Sequence, residues 1–371
     1  MLLGDEHMFR RLMAESQTNI PKDFIASADI ISKFLFTDKV KYFVIGKNDQ
    51  TIRLNNLMPI CAIIDDNMEL NGHYNGIPLI KMVDVDRDAF IINCSFSIST
   101  IDVITKFSSL GFKNVINYCE LSQYDAEKFP LPQFVIDFQK EFEVMEDILI
   151  EIYDQLEDSK SKEVFNDIAR YRLSANPAHM RSYFIHIKEQ YIEKFMNYNS
   201  EFFVDAGGFD GDTSEIFAKN CPNYRWIYFI EPSKNNLTYA KKRLVDIDRI
   251  SYFPIGLSNQ REILRFNENL GSASNVSDIG SVFIQLDRLD AIIQDEISFI
   301  KMDLEGFELK ALEGSIEILK KYKPKLAIAV YHAASDLREI YQFIKSLNLG
   351  YKMYMRHYTQ GWSETILYFT H

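Results

Sequence analysis

The stretch "FFVDAGGFDGDTSEIF" (residues 202–217) places a short apolar strand, an acid and a glycine-rich turn directly before a helix-like run. Asp205 ends the strand pattern, and Gly207 and Gly211 follow it. Thr213 is predicted to cap the helix, because its hydroxyl can accept from the free N–H groups of a first turn. The turn has neither the Gly-Lys-Ser/Thr of a Walker loop nor the pattern G-x-G-x-x-G. The stretch therefore indicates a strand–turn–helix unit of an α/β sheet.

The acids of this turn limit the ligand that it could hold. Gly207 and Gly208 would let the backbone approach a ligand or adopt positive φ angles. Asp205, Asp210 and Asp212 would repel a pyrophosphate. The pattern therefore favours a neutral or cationic ligand, and S-adenosylmethionine, which carries an ammonium and a sulfonium, is such a molecule.

The next predicted strand, "WIYFIEP", ends in Glu231. An acid at the end of the second strand is placed to bind the two hydroxyls of a ribose. This feature serves a nicotinamide dinucleotide equally well, and an exposed strand end is the structural alternative.

A second acidic turn follows a buried strand in "SFIKMDLEGFELKALEGS". Asp303 ends that strand, and Glu305 precedes a glycine that turns the chain into a helix. These carboxylates could hold a divalent cation, orient a hydroxyl or accept a proton, or could cap the helix. His332 ends another apolar strand, "LAIAVYH", and is a candidate base or a structural histidine.

The end of the chain, "GYKMYMRHYTQGWSETILYFTH", predicts two strands around a turn at Gln360 and Gly361. A parallel sheet closed by such a hairpin is typical of class I methyltransferases, whereas a dinucleotide-binding domain normally continues with parallel crossovers. Arg356 and His357 lie in this hairpin, where they could face a substrate or form an exposed polar end.

Residues 1–125 alternate short apolar strands with helices and predict a small parallel α/β domain. Asp65 or Asp66 could act as a ribose acid there, but "GKNDQT" has one glycine where a dinucleotide loop needs two or three. A docking or scaffold domain is the alternative. Residues 126–198 have helical spacing and predict a connector of separate helices.

Composition excludes some partners. The 371 residues carry 53 acids and 41 bases, a net charge of −12, so nucleic acid and anionic membranes are not expected to bind. The sequence has no apolar run of about 18 to 20 residues, which a membrane span needs. The four cysteines lack paired spacing, which fits a reducing cytoplasm. The N-terminal or helical region could support a homo-oligomer.

Six runs occur in an order that resembles the FkbM-type family of S-adenosylmethionine-dependent methyltransferases. They are "FVDAGGFDGDT", "IEP", "LDRLD", "FIKMDLEGFELKALEG", "KPKLAIAVYH" and "YKMYMRHYTQGWSETILY". The resemblance covers roughly residues 155–371. One departure is Gly208 with Phe209, where many members have Ala-Asn, so an asparagine-type contact is not expected here.

The resemblance implies O-methylation, commonly of a sugar or polyketide hydroxyl. It implies that Asp205, Gly207 and Gly211 line the methionine end of the cofactor and that Glu231 binds its ribose. Asp303 and Glu305 would form the acid-x-acid-Gly turn of the family. We also assign Gly208 and Thr213 to the cofactor, Asp303, Glu305 and His332 to catalysis, and Arg356 and His357 to the substrate.

We therefore expect an α/β protein with a class I methyltransferase domain at residues 199–371, a Rossmann-like sheet closed by a β-hairpin. A helical connector and a smaller, degenerate Rossmann-like domain would precede it. The expected activity is S-adenosylmethionine-dependent methylation of a sugar hydroxyl in surface polysaccharide or glycan biosynthesis. A nicotinamide-dependent oxidoreductase and a non-catalytic cofactor-binding or interaction module are the alternatives.

Overall fold

A computed structural model describes residues 8–18, 31, 33–34, 40–66, 72–267, 275–276 and 282–371. The chain divides into two compact units. The first unit comprises Met1–Ile150, Glu163–Ile185 and Thr359–Ser363, and the second comprises Glu151–Lys162, His186–Tyr358 and Glu364–His371. The residues of the predicted helical connector are thus divided between the units, and the three-part domain division stays a prediction.

The first unit contains a six-stranded sheet in the order β3-β4-β2-β1-β5-β6. Its strands are β1 (Tyr42–Ile45), β2 (Ile60–Ile64), β3 (His73–Tyr74), β4 (Ile77–Ile80), β5 (Phe90–Asn93) and β6 (Asn114–Asn117). All neighbours pair in parallel except β3, which pairs antiparallel with β4. Alternate residues of β1 enter two apolar clusters, because successive side chains of a strand point to opposite faces. The predicted parallel sheet is confirmed.

Seven helices are described between residues 8 and 174. They are α1 (Met8–Thr18), α2 (Asp49–Leu57), α3 (Thr100–Ser109), α4 (Tyr118–Tyr124), α5 (Gln133–Val144), α6 (Glu146–Gln155) and α7 (Ser159–Ser174). The Asn48 side chain caps α2 by accepting from the N–H of Thr51 at 3.1 Å. Gly111 follows α3 with a φ of +83°, in the left-handed region that commonly ends a helix at glycine.

The second unit is built on a seven-stranded sheet in the order β16-β17-β15-β14-β7-β8-β9. The strands of this unit are β7 (Phe202–Ala206), β8 (Trp226–Ile230), β9 (Ile250–Phe253), β10 (Gly256–Leu257), β11 (Glu262–Asn267), β12 (Asn275–Val276), β13 (Val282–Asp287), β14 (Phe299–Met302), β15 (Lys325–Ala329), β16 (Lys352–His357) and β17 (Thr365–Thr370). A smaller sheet has the order β10-β13-β11-β12.

The central strands β9, β8, β7, β14 and β15 pair in parallel, and β17 and β16 close the sheet as an antiparallel hairpin. This is the predicted class I methyltransferase architecture. Its helices are α8 (Asp212–Asn220), α9 (Lys234–Arg243), α10 (Leu289–Ile292), α11 (Glu308–Glu313), α12 (Ile316–Tyr322) and α13 (Asp336–Ser346).

The core of the second unit is aromatic at the centre of the sheet. Phe203 on β7 and Phe299 on β14 are fully buried and stack with ring centroids 4.7 Å apart. This contact fixes the two neighbouring strands whose carboxyl ends carry both acidic turns. Among the described residues, no helix combines the length and the hydropathy that a membrane crossing requires.

Candidate active site

The glycine turn after β7 packs closely on the protein. Gly207 has a φ of +73°, and a Cβ atom there would lie 1.8 Å from the carbonyl oxygen of Asp303. A Cβ on Gly208 would lie 2.3 Å from the ring of Phe229. Gly211 precedes α8 with a φ of +89°, in the region that favours glycine. Close protein packing therefore requires these glycines, in addition to any approach of a ligand.

A buried ion pair lies beneath this turn. The Nζ atom of Lys301 is 3.2 Å from Oδ1 of Asp205, and the two side chains are only 4% and 0% exposed. Nζ also donates to the carbonyls of Ala206 at 3.2 Å and Gly207 at 2.6 Å. Ser214 on α8 donates to the other Asp205 oxygen at 2.6 Å. Burial lowers the pKa of Lys301, but Asp205 and other carboxylates outweigh burial and raise it, so the amine is charged.

This geometry corrects the role expected for Asp205. Its carboxylate is fully buried and therefore offers no surface to a cofactor. It instead holds Lys301, which binds the carbonyls of the turn, and Ser214 at the start of α8. Lys301 was not among the predicted site residues, although it lies two residues before Asp303 in the acidic motif.

The N-cap of the helix after the glycine turn is also not the predicted residue, Thr213. Helix α8 begins at Asp212 with Gly211 as its N-cap, so Thr213 is the second helical residue and does not cap it. Asp210 forms an ion pair with Arg243, and burial raises the pKa of Asp212. The acids of this turn therefore carry less free negative charge than the sequence indicated.

Glu231 at the end of β8 is buried and organises the same turn. Its carboxylate accepts from the N–H of Phe209 at 3.0 Å, the N–H of Ser233 at 2.8 Å and Nδ2 of Asn236 at 3.3 Å. Burial raises the pKa of Glu231, and these hydrogen bonds oppose that shift. Oε2 is the oxygen that accepts from Phe209, and each carboxylate oxygen has about two acceptor positions.

The acidic turn after β14 converges on one imidazole. Nε2 of His332, which follows β15, is 3.4 Å from Asp303 and 3.6 Å from Glu305. Nδ1 is 3.0 Å from Glu308, yet neither ring nitrogen makes a hydrogen bond of regular geometry. Glu305 has a φ of +53° and Gly306 a φ of +92°, which bends the turn back towards the ring. The three predicted catalytic residues therefore lie together.

The charges of this cluster are strongly coupled. Burial lowers the pKa of His332, but Glu308, Asp303 and Glu305 outweigh burial and raise it to about 10. A raised pKa favours the protonated ring, which argues against the expected base. Burial raises the pKa of Glu305 to about 7, against the effect of His332. Because 28% of the Glu305 side chain is exposed, a ligand can reach it.

A hydrogen-bond network that sequence analysis missed extends this cluster. Asp303 accepts from the hydroxyls of Tyr191 at 3.0 Å and Tyr331 at 3.2 Å. The Tyr331 hydroxyl is also 3.3 Å from Glu364, which accepts from Gln190 at 2.8 Å. Burial, followed by Asp303, raises the pKa of Glu364 to about 7. One sequence feature could have indicated this network, namely the position of Tyr331 beside His332 at a strand end.

Residues 205–353, which span both acidic turns and His332, match the family model described as "Methyltransferase FkbM domain". Residues 205–353 are an FkbM methyltransferase domain. The resemblance to the FkbM-type family is thereby confirmed over residues 205–353. No curated protein sequence matches the chain.

One solved structure shares the fold over nearly the whole chain, and two others are less similar. Methyltransferase FkbM from Methylobacillus flagellatus KT superposes with a TM-score of 0.71 at 21% identity, over 98% of each chain. A putative rRNA-methylase from Clostridium thermocellum has a TM-score of 0.32 at 15% identity, over 49% of this chain and 88% of its own. Aeropyrum pernix fibrillarin, with bound S-adenosyl-L-methionine, has a TM-score of 0.31 at 12% identity, over 47% and 68%.

The two residues expected to contact the substrate lie beyond the matched segment, on β16. His357 is 3% exposed, and its Nδ1 atom is 3.0 Å from the hydroxyl of Thr365. Arg356 contacts the carboxylate of Asp158 at 2.7 Å and 3.2 Å and donates to Ser161 at 2.8 Å. Both side chains therefore form contacts within the second unit, which argues against direct substrate contact.

Proposed function

We propose that this methyltransferase uses S-adenosylmethionine to methylate a hydroxyl of a sugar, in surface polysaccharide or glycan biosynthesis. This proposal is based mainly on one observation: Asp303, Glu305 and His332 lie together beside the glycine turn of an FkbM domain. Carboxylates and tyrosine hydroxyls line this position, and both groups suit the hydroxyls of a sugar.

The residues around Glu231 fit the cofactor. The Oε2 atom of Glu231, which accepts from the N–H of Phe209, would also accept from a ribose hydroxyl. A pocket adjoins it, lined by Phe209, Asp210, Asn236, Tyr239 and Arg243, and two of these residues bind the Glu231 carboxylate. When bound, S-adenosylmethionine supplies an activated methyl group, and the protein supplies alignment. Gly207, Gly208 and Gly211 would set the backbone that faces it.

The acceptor hydroxyl must lose its proton as its oxygen forms a bond to the methyl carbon and the carbon–sulfur bond breaks. Glu305 would take that proton, because its pKa of about 7 lies close to the working pH. His332 would then position this carboxylate, since its protonated ring lies 3.6 Å away. Such a base contributes roughly 10²- to 10⁴-fold to a rate.

A divalent cation is the alternative arrangement of the same cluster. Ligand atoms of Asp303, Glu305 and His332 lie within 4.8 Å of one another, a spacing that suits one ion. Glu308 faces the opposite ring nitrogen at 3.0 Å, as carboxylates do behind metal-bound histidines. A cation there would lower the pKa of the hydroxyl directly. Full activity in excess EDTA excludes this arrangement, and loss of activity that Mn²⁺ restores excludes the free carboxylate base.

The function is tested with methyl-labelled S-adenosylmethionine and a panel of sugar, amine and carboxylic acid acceptors. The expected product is a base-stable methyl ether on a sugar, formed by the natural enzyme and not by Glu305→Gln. A labelled amine or a base-labile ester would overturn the assignment to hydroxyls. Binding of NAD in place of S-adenosylmethionine would favour an oxidoreductase.

The biological role has a separate test. Glycan from a strain that lacks the enzyme should be lighter by about 14 Da, one CH₂, for each methyl group lost. Unchanged glycan masses, together with tight cofactor binding and no methyl transfer in vitro, would favour a non-catalytic binding module.

A further inference from the structure

The five-residue segment Thr359–Ser363 belongs to the first unit, although it joins β16 to β17. Its backbone pairs with the loop that follows β5. The N–H of Gln360 donates to the carbonyl of Ile98 at 2.8 Å, and the N–H of Trp362 donates to the carbonyl of Phe96 at 3.0 Å. We call this stretch the 359–363 segment.

The 359–363 segment lies where ligands bind in sheets of this kind. In the six-stranded sheet, β2 lies on one side of β1 and β5 lies on the other, so the direction of strand addition reverses at β1. In parallel α/β sheets, ligands bind beyond the carboxyl ends of the strands at such a reversal. The segment pairs with the loop between β5 and α3, which borders this position.

Gln360 also occupies the start of α3, where a phosphate would bind. Its Oε1 atom accepts from the N–H of Asp102 at 2.9 Å, and its Nε2 atom donates to the Asp102 carboxylate at 2.9 Å. The Thr100 hydroxyl donates to the carbonyl of Gln360. Free N–H groups at a helix start attract anions, and here the chain's own amide satisfies one of them.

The segment fits this position closely. The Trp362 ring packs against the core cluster of the first unit, with its ring centroid 6.2 Å from that of Phe134. The buried Arg172 donates to the carbonyl of Trp362 at 3.0 Å. A Cβ on Gly361 would lie 2.2 Å from the backbone of Ser97, so a larger residue cannot be seated without movement.

We infer that the α/β domain of the first unit is an intramolecular peptide-binding domain, which holds the 359–363 segment in place of a nucleotide. The single glycine of "GKNDQT" agrees with this assignment. The candidate ribose acids are engaged elsewhere, because Asp65 pairs with Lys47 at 2.7 Å and Asp66 pairs with Lys106 at 2.8 Å. This role is independent of methyl transfer.

Hydrogen exchange of the full chain, measured by mass spectrometry, tests the inference. Gln360→Ala removes three side-chain contacts, to Asp102 and to the carbonyl of Tyr183. Exchange in residues 96–102 should accelerate about tenfold or more, because buried groups that lose their partners are costly. Gln133→Ala, an exposed substitution in the same unit, serves as the matched control and should leave this exchange unchanged.

Two further measurements complete the test. Gly361→Val should accelerate the same exchange. If Gly361→Val does not fold, the result for Gln360→Ala is sufficient to test the inference. NAD, ATP and UDP-glucose at 1 mM should not slow exchange at residues 96–102 of the natural protein. Protection of that stretch by any of these nucleotides would overturn the inference, as would unchanged exchange in Gln360→Ala.

Discussion

Removal of the buried ammonium by Lys301→Met should destabilise the second unit severely. The substitution leaves the fully buried Asp205 carboxylate with Ser214 as its remaining side-chain donor. Breaking a buried ion pair by removing one partner costs about 3–5 kcal/mol. For a unit of this size each kcal/mol lowers Tm by about 2–4 °C, so the expected decrease is about 6–20 °C.

Thermal and urea unfolding followed by circular dichroism would measure this loss. The double variant Asp205→Asn, Lys301→Met removes both charges and should recover most of the stability, because the lone buried charge causes the loss. Lys320→Met, on an exposed position, should change stability by less than about 0.5 kcal/mol. A loss below about 1 kcal/mol for Lys301→Met, or a double variant no more stable than the single one, would refute this account.

Three further predictions concern other parts of the second unit. Glu305→Gln should lower kcat by about 10²- to 10⁴-fold with an unchanged dissociation constant for S-adenosylmethionine; a near-natural kcat would reject Glu305 as the base. Gly207→Ala should cost at least about 2 kcal/mol, because its Cβ would lie 1.8 Å from a carbonyl oxygen, whereas Gly350→Ala, with positive φ and open space, should cost less in the same unfolding assay. Burial raises the pKa of Asp158, but Arg356 outweighs burial and lowers this pKa to about 2, below its ordinary value. The partly exposed pair should therefore contribute about 1 kcal/mol to the stability above pH 4, and this contribution should be lost as the pH falls towards 2. The stability difference between the natural protein and Asp158→Asn should thus shrink over that range, and a constant difference would contradict the assignment.

The strands and their order in the chain were predictable from the sequence, because buried parallel strands are continuous apolar runs. The run 226–230 is a strand with those bounds, and the closing hairpin flanks Gln360 and Gly361 as expected. The hairpin was also the feature that distinguished this sheet from a dinucleotide-binding one.

The electrostatics of the site were not predictable from local patterns. Asp205 and Asp210 were interpreted as free negative charges, but Lys301 and Arg243 pair with them across long sequence separations. His332 was recognised as a strand-end histidine, yet its protonation depends on carboxylates that only the folded turn brings together. The charges around each carboxylate depend on residues that are close in three dimensions, so the spacing within one motif does not predict them.

The contact between Gly207 and the carbonyl of Asp303 has a consequence for how this enzyme can change. The two turns touch through backbone atoms, and Lys301 binds the first while lying two residues before the second. A substitution that shifts either turn must therefore alter the fitness effect of substitutions in the other, a case of strong epistasis. Engineering of a new acceptor preference should begin in segments outside this pair, such as the one that carries Gln190 and Tyr191.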